Sequence, residues 1–387
     1  MAYPKEYYVY GQKCPVFYGP GVVKEIGEQV KKYGGKKPLV VTDPFLVTTY
    51  IVDSVKKSLE EAGVEYAIYS DVNVDPSDVK IYAAVEMAKA EGCDMVIGVG
   101  GGGPMDAAKS IAILLDNEGP LSKYYMDFAP NNDTIIFEVA TTSGTGSECT
   151  FFSVISDTTT GTKKVPYRTP NLAFCDPELT YSLPQGLTAA TGMDAFAHAA
   201  ETMTGLIQNP HTDALCYFGI SELCKYLPRA CKDGSDKEAR EHLMNASNLI
   251  GIGFGEMGCH LGHAIGQCIG AAFHTTHGIS CAWALPATME YSAVANPDKV
   301  KLVAEAMGID TADISDAEIG KVVSDAISAL MTEIKLQPMS EYGISRDGLI
   351  GIADIVMQDN CWPVIPSPLT KAELEDLLGK VYDSFQG

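Results

Sequence analysis

The sequence predicts two halves of different class: an α/β half built on a parallel sheet, then an all-helical half. Three observations carry this. Short apolar runs such as PLVVTD and MVIGVG alternate with amphipathic stretches. Glycine-rich turns follow two of the strands. Near residue 184 the strand signals stop and helical spacing takes over. The expected domains are therefore 1–184 and 185–387.

In the first half, 38–43 is a strand ending in Asp43, 49–62 a helix, 65–72 a second strand, 77–91 a second helix and 95–100 a third, buried strand. Apolar strands separated by helices imply a parallel sheet covered on both faces. After the third strand comes GVGGGGPMDAAKS, with Gly100 to Gly103 unbroken before Pro104 and a helix expected from about Met105. Glycines let backbone approach a ligand, and the free N–H groups of a helix start attract an anion. Gly101, Gly102, Gly103 and Asp106 are thus candidate phosphate-cradle residues. A second turn, ATTSGTGSECT, follows the strand 134–140 and offers Thr141, Thr142, Thr145 and Ser147. Two such turns at strand C-termini suit a dinucleotide, which makes this half Rossmann-like. Asp43 at a strand end can accept from ribose hydroxyls and would repel a 2′-phosphate, so NAD is preferred to NADP. Cys149, with no evident base beside it, reads as a packed thiol.

The second half reads as helices over 185–205, 212–226, 238–253, 257–272, 292–307, 316–334 and 371–385. In TAATGMDAFAHAAETMT, Asp194 and His198 stand four residues apart, on one helical face. Two H-x-x-H pairs follow, His260/His263 and His274/His277, and spacing alone leaves open which member of each binds. Gly278 marks an expected break after His277. One carboxylate and three imidazoles with an open position suit Fe2+ or Zn2+ better than Mg2+ or Ca2+. Such an ion polarises an alcohol or carbonyl oxygen, and beside a nicotinamide that means hydride transfer.

Composition sets bounds on partners. With 46% hydrophobic and 20% charged residues the 387-residue chain has the balance of a globular protein. A formal net charge of -22 without any basic cluster argues against nucleic acid and anionic membranes. MAYPKEYYVYGQKCP lacks a leader pattern and no run nears about 18 apolar residues, so a cytoplasmic location is expected. The eleven scattered cysteines contain no C-x-x-C, which indicates neither a disulfide framework nor a thiolate zinc site.

FYGPGVVKEIG, GVGGGGPMDAAKSIA, ATTSGTGSE, DPELTYSLP, LTAATGMDAFAHAAE and GHAIG…HTTHG occur in one order over nearly the whole length. In these the chain resembles the iron-containing (group III) alcohol dehydrogenases. The resemblance implies an N-terminal dinucleotide-binding domain, an all-α metal-binding domain and a homodimer or larger homo-oligomer. The ligands it implies are Asp194, His198, His263 and His277, with His260 and His274 as neighbours. It extends the nucleotide contacts to Lys164 and Leu183, and implies a small alcohol or aldehyde as substrate.

The chain departs from the family pattern in places. Gly103 replaces the serine of GGGSP, Asp75-Pro76 replaces Asn-Pro, and the loop 163–170 is short. Gln267 replaces a histidine four residues after the third ligand, and glutamine cannot shuttle a proton at neutral pH. The reacting end is thus assigned His277, Gln267 and His274, with His274, His260 or solvent through the cofactor ribose as the relay. Phe152, Phe254 and Trp362, with Trp283, are candidates for an apolar substrate wall. Two rival readings are a dehydroquinate-synthase-like NAD/metal lyase, which would want a basic pocket, and a non-catalytic nicotinamide-binding sensor.

Overall fold

A computed structural model describes residues 10–12 and 14–386, with the side chains of 256 and 257 excepted. Most of the N-terminal stretch read for a leader lies outside these residues. The chain divides into two compact units, Gly11–Tyr181 and the part from Ser182 onward, which Tyr10 joins.

The first unit holds six parallel strands in one sheet: β1 (Val16–Tyr18), β2 (Pro38–Val41), β3 (Ala67–Tyr69), β4 (Met95–Gly100), β5 (Ile135–Ala140) and, after a small hairpin of β6 (Ile155–Asp157) and β7 (Thr162–Lys164), β8 (Leu172–Cys175). Their order is β1-β8-β5-β4-β2-β3. Alternate residues serve opposite faces. Leu39, Val41, Val96 and Ile136 pack under α3 (Asp78–Glu91) and α4 (Gly102–Asp116). Val40, Met95, Ile97, Phe137 and Val139 pack under α1 (Ile26–Lys32) and α2 (Tyr50–Glu61). Both faces are buried, so the strands carry no polar alternation.

The expected strand over 65–72 shrinks to Ala67–Tyr69 because it is an edge strand, paired only with β2. The opposite edge, β1 on β8, and the β6–β7 hairpin had no sequence expectation, since three- and four-residue strands carry little periodicity.

The second unit is helical: α5 (Gln185–Thr204), α6 (Pro210–Lys232), α7 (Lys237–Met257), α8 (Leu261–Phe273), α9 (His277–Ala295), α10 (Pro297–Ala306), α11 (Ile319–Glu333), α12 (Arg346–Ile350), α13 (Ala353–Val356) and α14 (Lys371–Ser384). Two expectations are corrected. The single helix over 292–307 is two, divided at Asn296 before Pro297, as proline at a helix start favours. Gly278 does not break the chain but lies in the first turn of α9, a helix that continues through Pro286. A Cβ on Gly278 would stand 2.4 Å from the Ala190 carbonyl oxygen, so this glycine lets α9 start directly against α5.

Candidate metal centre and nucleotide cradle

Three packed helices, α5, α8 and α9, bring the metal candidates together. Asp194, His198 and Glu201 follow one another at helical spacing on α5 and are all buried. Asp194 Oδ1 lies 3.6 Å from His277 Nε2 and 3.8 Å from His263 Nε2. These separations are too long for direct hydrogen bonds. They are near the edge of about 3.4 Å between two donors that share a tetrahedral ion at about 2.1 Å. The donor atoms of Asp194, His263, His277 and Cys281 all lie within 4.8 Å of one another, and those of His198, Cys259 and His263 form an overlapping group. The His198 ring lies 4.4 Å from that of His263 and is stacked at 4.3 Å on Phe254.

Glu201, which the sequence reading passed over, orients the His263 ring. Its Oε1 accepts from His263 Nδ1 at 2.8 Å, and its Oε2 accepts from the backbone N–H of His260 at 2.7 Å and of His263 at 3.2 Å. With the proton on Nδ1, the His263 lone pair is at Nε2, an atom with no hydrogen-bond partner among the described residues. A buried nitrogen with its lone pair beside a carboxylate oxygen fits a divalent cation. Burial alone would raise the Glu201 carboxyl; the His263 imidazole and its hydrogen bond, then His260, bring it down to about 2. Gly262 leaves it room, since a Cβ there would stand 2.4 Å from Glu201 Oε1. The signal was available as a third acid-or-imidazole position on the Asp194 stripe.

The structure also separates the histidine pairs. His260 Nδ1 accepts the Leu261 N–H at 2.7 Å, capping α8, so its Nε2–H faces Thr204 Oγ1 at 3.0 Å. Both ring nitrogens are thus committed, and burial pushes this imidazole down to about 4. His274 ends α8 with a φ of 56°, exposed and outside both donor groups. Gln267, one turn after His263, donates to Cys361 Sγ at 3.5 Å. Burial raises the thiols of Cys259, to about 11, and Cys281.

In the α/β unit the two turns after β4 and β5 pack on each other. Cβ atoms on Gly101 and Gly102 would stand 3.4 Å from Thr142 and 3.2 Å from Thr145. Thr141 N–H donates to the Gly100 carbonyl at 3.0 Å. The helix start expected near Met105 comes earlier, at Gly102, with Gly101 as an N-cap that has no side-chain cap. Free N–H groups at such a helix start suit an anion. A Cβ on Gly103 would stand 2.5 Å from the Val74 carbonyl oxygen, so the serine of the family pattern has no space here.

Ser147 and Asp106 turn inward. Ser147 Oγ donates to Asp106 Oδ1 at 2.6 Å, and Asp106 Oδ2 accepts the Val154 N–H at 3.1 Å. Fully buried Lys109 donates to the Ser147 carbonyl and hydroxyl, each at 2.7 Å, and to the Phe152 carbonyl at 2.8 Å. This lysine, unremarked in the sequence, holds the second turn from beneath; its signal was a charge in the apolar helix DAAKSIAILL.

The remaining candidates are dispersed. Asp43 Oδ1 accepts the N–H groups of Phe45 and Leu46, each at 2.8 Å, holding the turn after β2. Lys164 is half-buried on β7, and the Leu183 carbonyl accepts from Arg240 at 2.9 Å in the helical unit. Phe152 packs with Phe151 and Tyr167 in the α/β unit, whereas Phe254 touches His198. Trp362 is half-buried against the helical core beside Cys361. Trp283 is fully buried and donates to the Gln337 carbonyl, so it is core and not pocket wall.

Comparison with known proteins agrees with this arrangement. Residues 15–177 match the model of the iron-containing alcohol dehydrogenases, and residues 188–382 match that of the C-terminal part of the Fe-containing alcohol dehydrogenase family. A sulfoacetaldehyde reductase of Bilophila wadsworthia is 35% identical over 88% of this chain and 89% of its own. An NAD-dependent methanol dehydrogenase of Bacillus methanolicus is 31% identical over 93% and 96% of the two chains. Among solved structures, a 1,3-propanediol oxidoreductase superposes with a TM-score of 0.93 at 32% identity, covering 97% of this chain and all of that one. A sulfoacetaldehyde reductase of Bifidobacterium kashiwanohense, solved with NAD+, has a TM-score of 0.85 at 25% identity over 98% of each chain. With both parts of the chain matched and its helices converging on one donor set, the protein belongs to the iron-containing alcohol dehydrogenase family.

Proposed function

We propose that this chain transfers a hydride between NAD(H) and a small primary alcohol, diol or the matching aldehyde, with Fe2+ or Zn2+ held by Asp194, His198, His263 and His277. The chain is an oxidoreductase of the alcohol dehydrogenase type, as its family and relatives are. The observation that carries the assignment of ligands is the Glu201–His263 hydrogen bond, which leaves His263 Nε2 as a lone pair 3.8 Å from Asp194 Oδ1. A bound divalent ion supplies Lewis acidity toward the alcohol or carbonyl oxygen.

The protein's own groups do the rest. Glu201 holds the His263 tautomer, and Phe254, stacked on His198, and Trp362 offer apolar surface to a short carbon chain. Gly101, Gly102, Gly103, Thr141, Thr142 and Thr145 contact the cofactor pyrophosphate and nicotinamide portion, and Asp43 the adenosine ribose. Asp106, Ser147 and Lys109 position the second turn. Gln267 takes no proton, so exchange with solvent runs through the cofactor ribose or through His274. We assign residues 1–184 to nucleotide binding and 185–387 to metal and substrate, a cytoplasmic location, and a homodimer or larger homo-oligomer. No helix among the described residues is long and apolar enough to cross a membrane.

The test is anaerobic purification, metal analysis and a panel of short alcohols and aldehydes with both cofactors. Steady NADH consumption with an aldehyde is expected, and its accumulation from an alcohol excludes a lyase that regenerates its cofactor. Metal-loaded protein that binds NADH yet reduces no aldehyde in the panel sinks the enzyme reading in favour of a sensor.

A further inference from the structure

From the surroundings of β5 we infer that Glu138 is a positioning residue of the nucleotide cradle that works as the neutral carboxylic acid. In that form it leaves Lys109 committed to the turn after β5; ionised, it draws Lys109 away and weakens coenzyme binding. The inference rests on the nucleotide reading proposed above and adds a proton to it.

Place is the first ground. Glu138 is fully buried in β5, and its register partner on β4 is Gly98. A Cβ on Gly98 would collide with Glu138 Oε2 and stand 3.0 Å from Ala108 Cβ and 3.1 Å from Met105 Cα. The carboxyl thus fills the space of a missing side chain, against the hydrocarbon of α4. Partners are the second ground. Neither carboxyl oxygen has a hydrogen-bond partner among the described residues. An ionised carboxylate in such a place costs more than protonation does, so the group keeps its proton.

The nearby cation is already engaged. Lys109, which follows Ala108 on α4, has three N–H groups, and the Ser147 carbonyl, the Ser147 hydroxyl and the Phe152 carbonyl accept them. Asp106, at 3.6 Å, balances its charge. Glu148 and the Cys14 thiol are the other titratable groups around Glu138, while β4 and β8 present only Gly98 and Ala173 beside it. Burial holds Glu138 well above the usual carboxylate range; Lys109 offsets this in part, and Asp106 and Glu148 add to it. Once ionised, Glu138 is a stronger acceptor for the ammonium than carbonyls and a hydroxyl are. The turn carrying Thr141, Thr142 and Thr145 then loses its hold at Ser147 and Phe152.

The competing account is an acid that only fills space, which would affect stability and leave coenzyme binding alone. The experiment compares the full-length wild type with Glu138→Gln from neutral to alkaline pH by NADH calorimetry, infrared spectroscopy and thermal melting. A protonated-acid carbonyl stretch is expected in the wild type and missing in the variant. NADH affinity of the wild type should fall as pH rises, approaching about tenfold per pH unit, the limit for one linked proton. In Glu138→Gln that part of the fall should be gone. Because the folded-state pKa is raised, the unfolded chain releases this proton first as pH rises. Stability from this group is therefore full below the unfolded value and lost toward the folded one, so the variant should gain in melting temperature on the wild type with rising pH. Absence of an acid stretch assignable to Glu138 overturns the neutral acid. Parallel NADH profiles overturn the positioning role even if melting differs. If Glu138→Gln does not fold, Glu138→Met serves in the same measurements. If neither folds, the wild type decides, since the acid stretch and NADH affinity must be lost at one common pH midpoint. Failure of the wild type to bind NADH at any pH overturns the nucleotide reading itself.

Discussion

Glu201 supports the proposed metal centre from behind, through the ring and backbone of His263. Its carboxylate accepts three hydrogen bonds from the start of α8, one of them from the ring of His263, a proposed ligand. Removing such an outer partner lowers metal affinity about 10–100-fold. Glu201→Gln should therefore weaken metal retention by that factor in competition with a chelator, whereas an unchanged affinity would show that His263 needs no orienting group. His260 makes the contrasting case. His260→Asn should keep metal and lose part of the cap on α8, while His263→Ala should lose metal.

His260 also sets a pH dependence. Its folded-state pKa is pushed down to about 4 from an ordinary value near 6.5. The unfolded chain therefore binds this proton first as pH falls. Stability is full above about 6.5 and declines toward pH 4, by at most about 3 kcal/mol from this group. Thermal melting followed from pH 7.5 to 4.5 should show a flatter decline in His260→Asn than in the wild type. Equal slopes would assign the acid sensitivity elsewhere.

At the scale of elements, close approach decides which helices and turns can meet. Gly278 allows α9 to begin against Ala190 and the Cβ of Asp194, and this is what brings His277 to Asp194. Gly278→Ala forces the helices apart, at about 1–3 kcal/mol. Lower melting temperature together with weaker metal binding is the expected outcome, and a variant that loses stability alone would show that the helix contact does not position His277. In the other unit, Lys109 joins α4 to the turn after β5. Lys109→Met leaves the buried Asp106 without its cation and the Ser147 and Phe152 carbonyls without a donor. Breaking such a buried group by removing one partner costs about 3–5 kcal/mol. Weaker NADH binding should accompany that loss in calorimetry.

At the scale of the whole molecule, the two ligand systems belong to different units. The proposed metal donors are all in the unit from Ser182 onward, and the glycine and threonine turns are all in Gly11–Tyr181. Hydrogen exchange should therefore show metal protecting peptides of α5, α8 and α9, and NADH alone protecting peptides around 100–106 and 140–150. Metal protection confined to the α/β unit would contradict the assignment of ligands. The net charge of -22 predicts that phosphate-rich partners are repelled except where backbone N–H groups and helix starts offer a local positive end.

What the sequence determined by itself is local. The buried run MVIGVG and the Asp194–His198 spacing each depend on a few consecutive residues and have their expected structure, while the glycine turn behind the strand is shorter than expected because α4 starts at Gly102. The tertiary structure alone decided matters that join distant segments. It gave His263 and His260 different surroundings: Glu201, 62 residues before His263, takes the His263 ring proton, while Thr204 and Leu261 occupy His260. It turned Gly278 from an expected break into a helix contact, and set the Val74 carbonyl where a Gly103 side chain would stand. Periodicity reports which face of an element is buried. It carries no information about which partner covers that face, and the surroundings of the proposed metal donors are set by those partners.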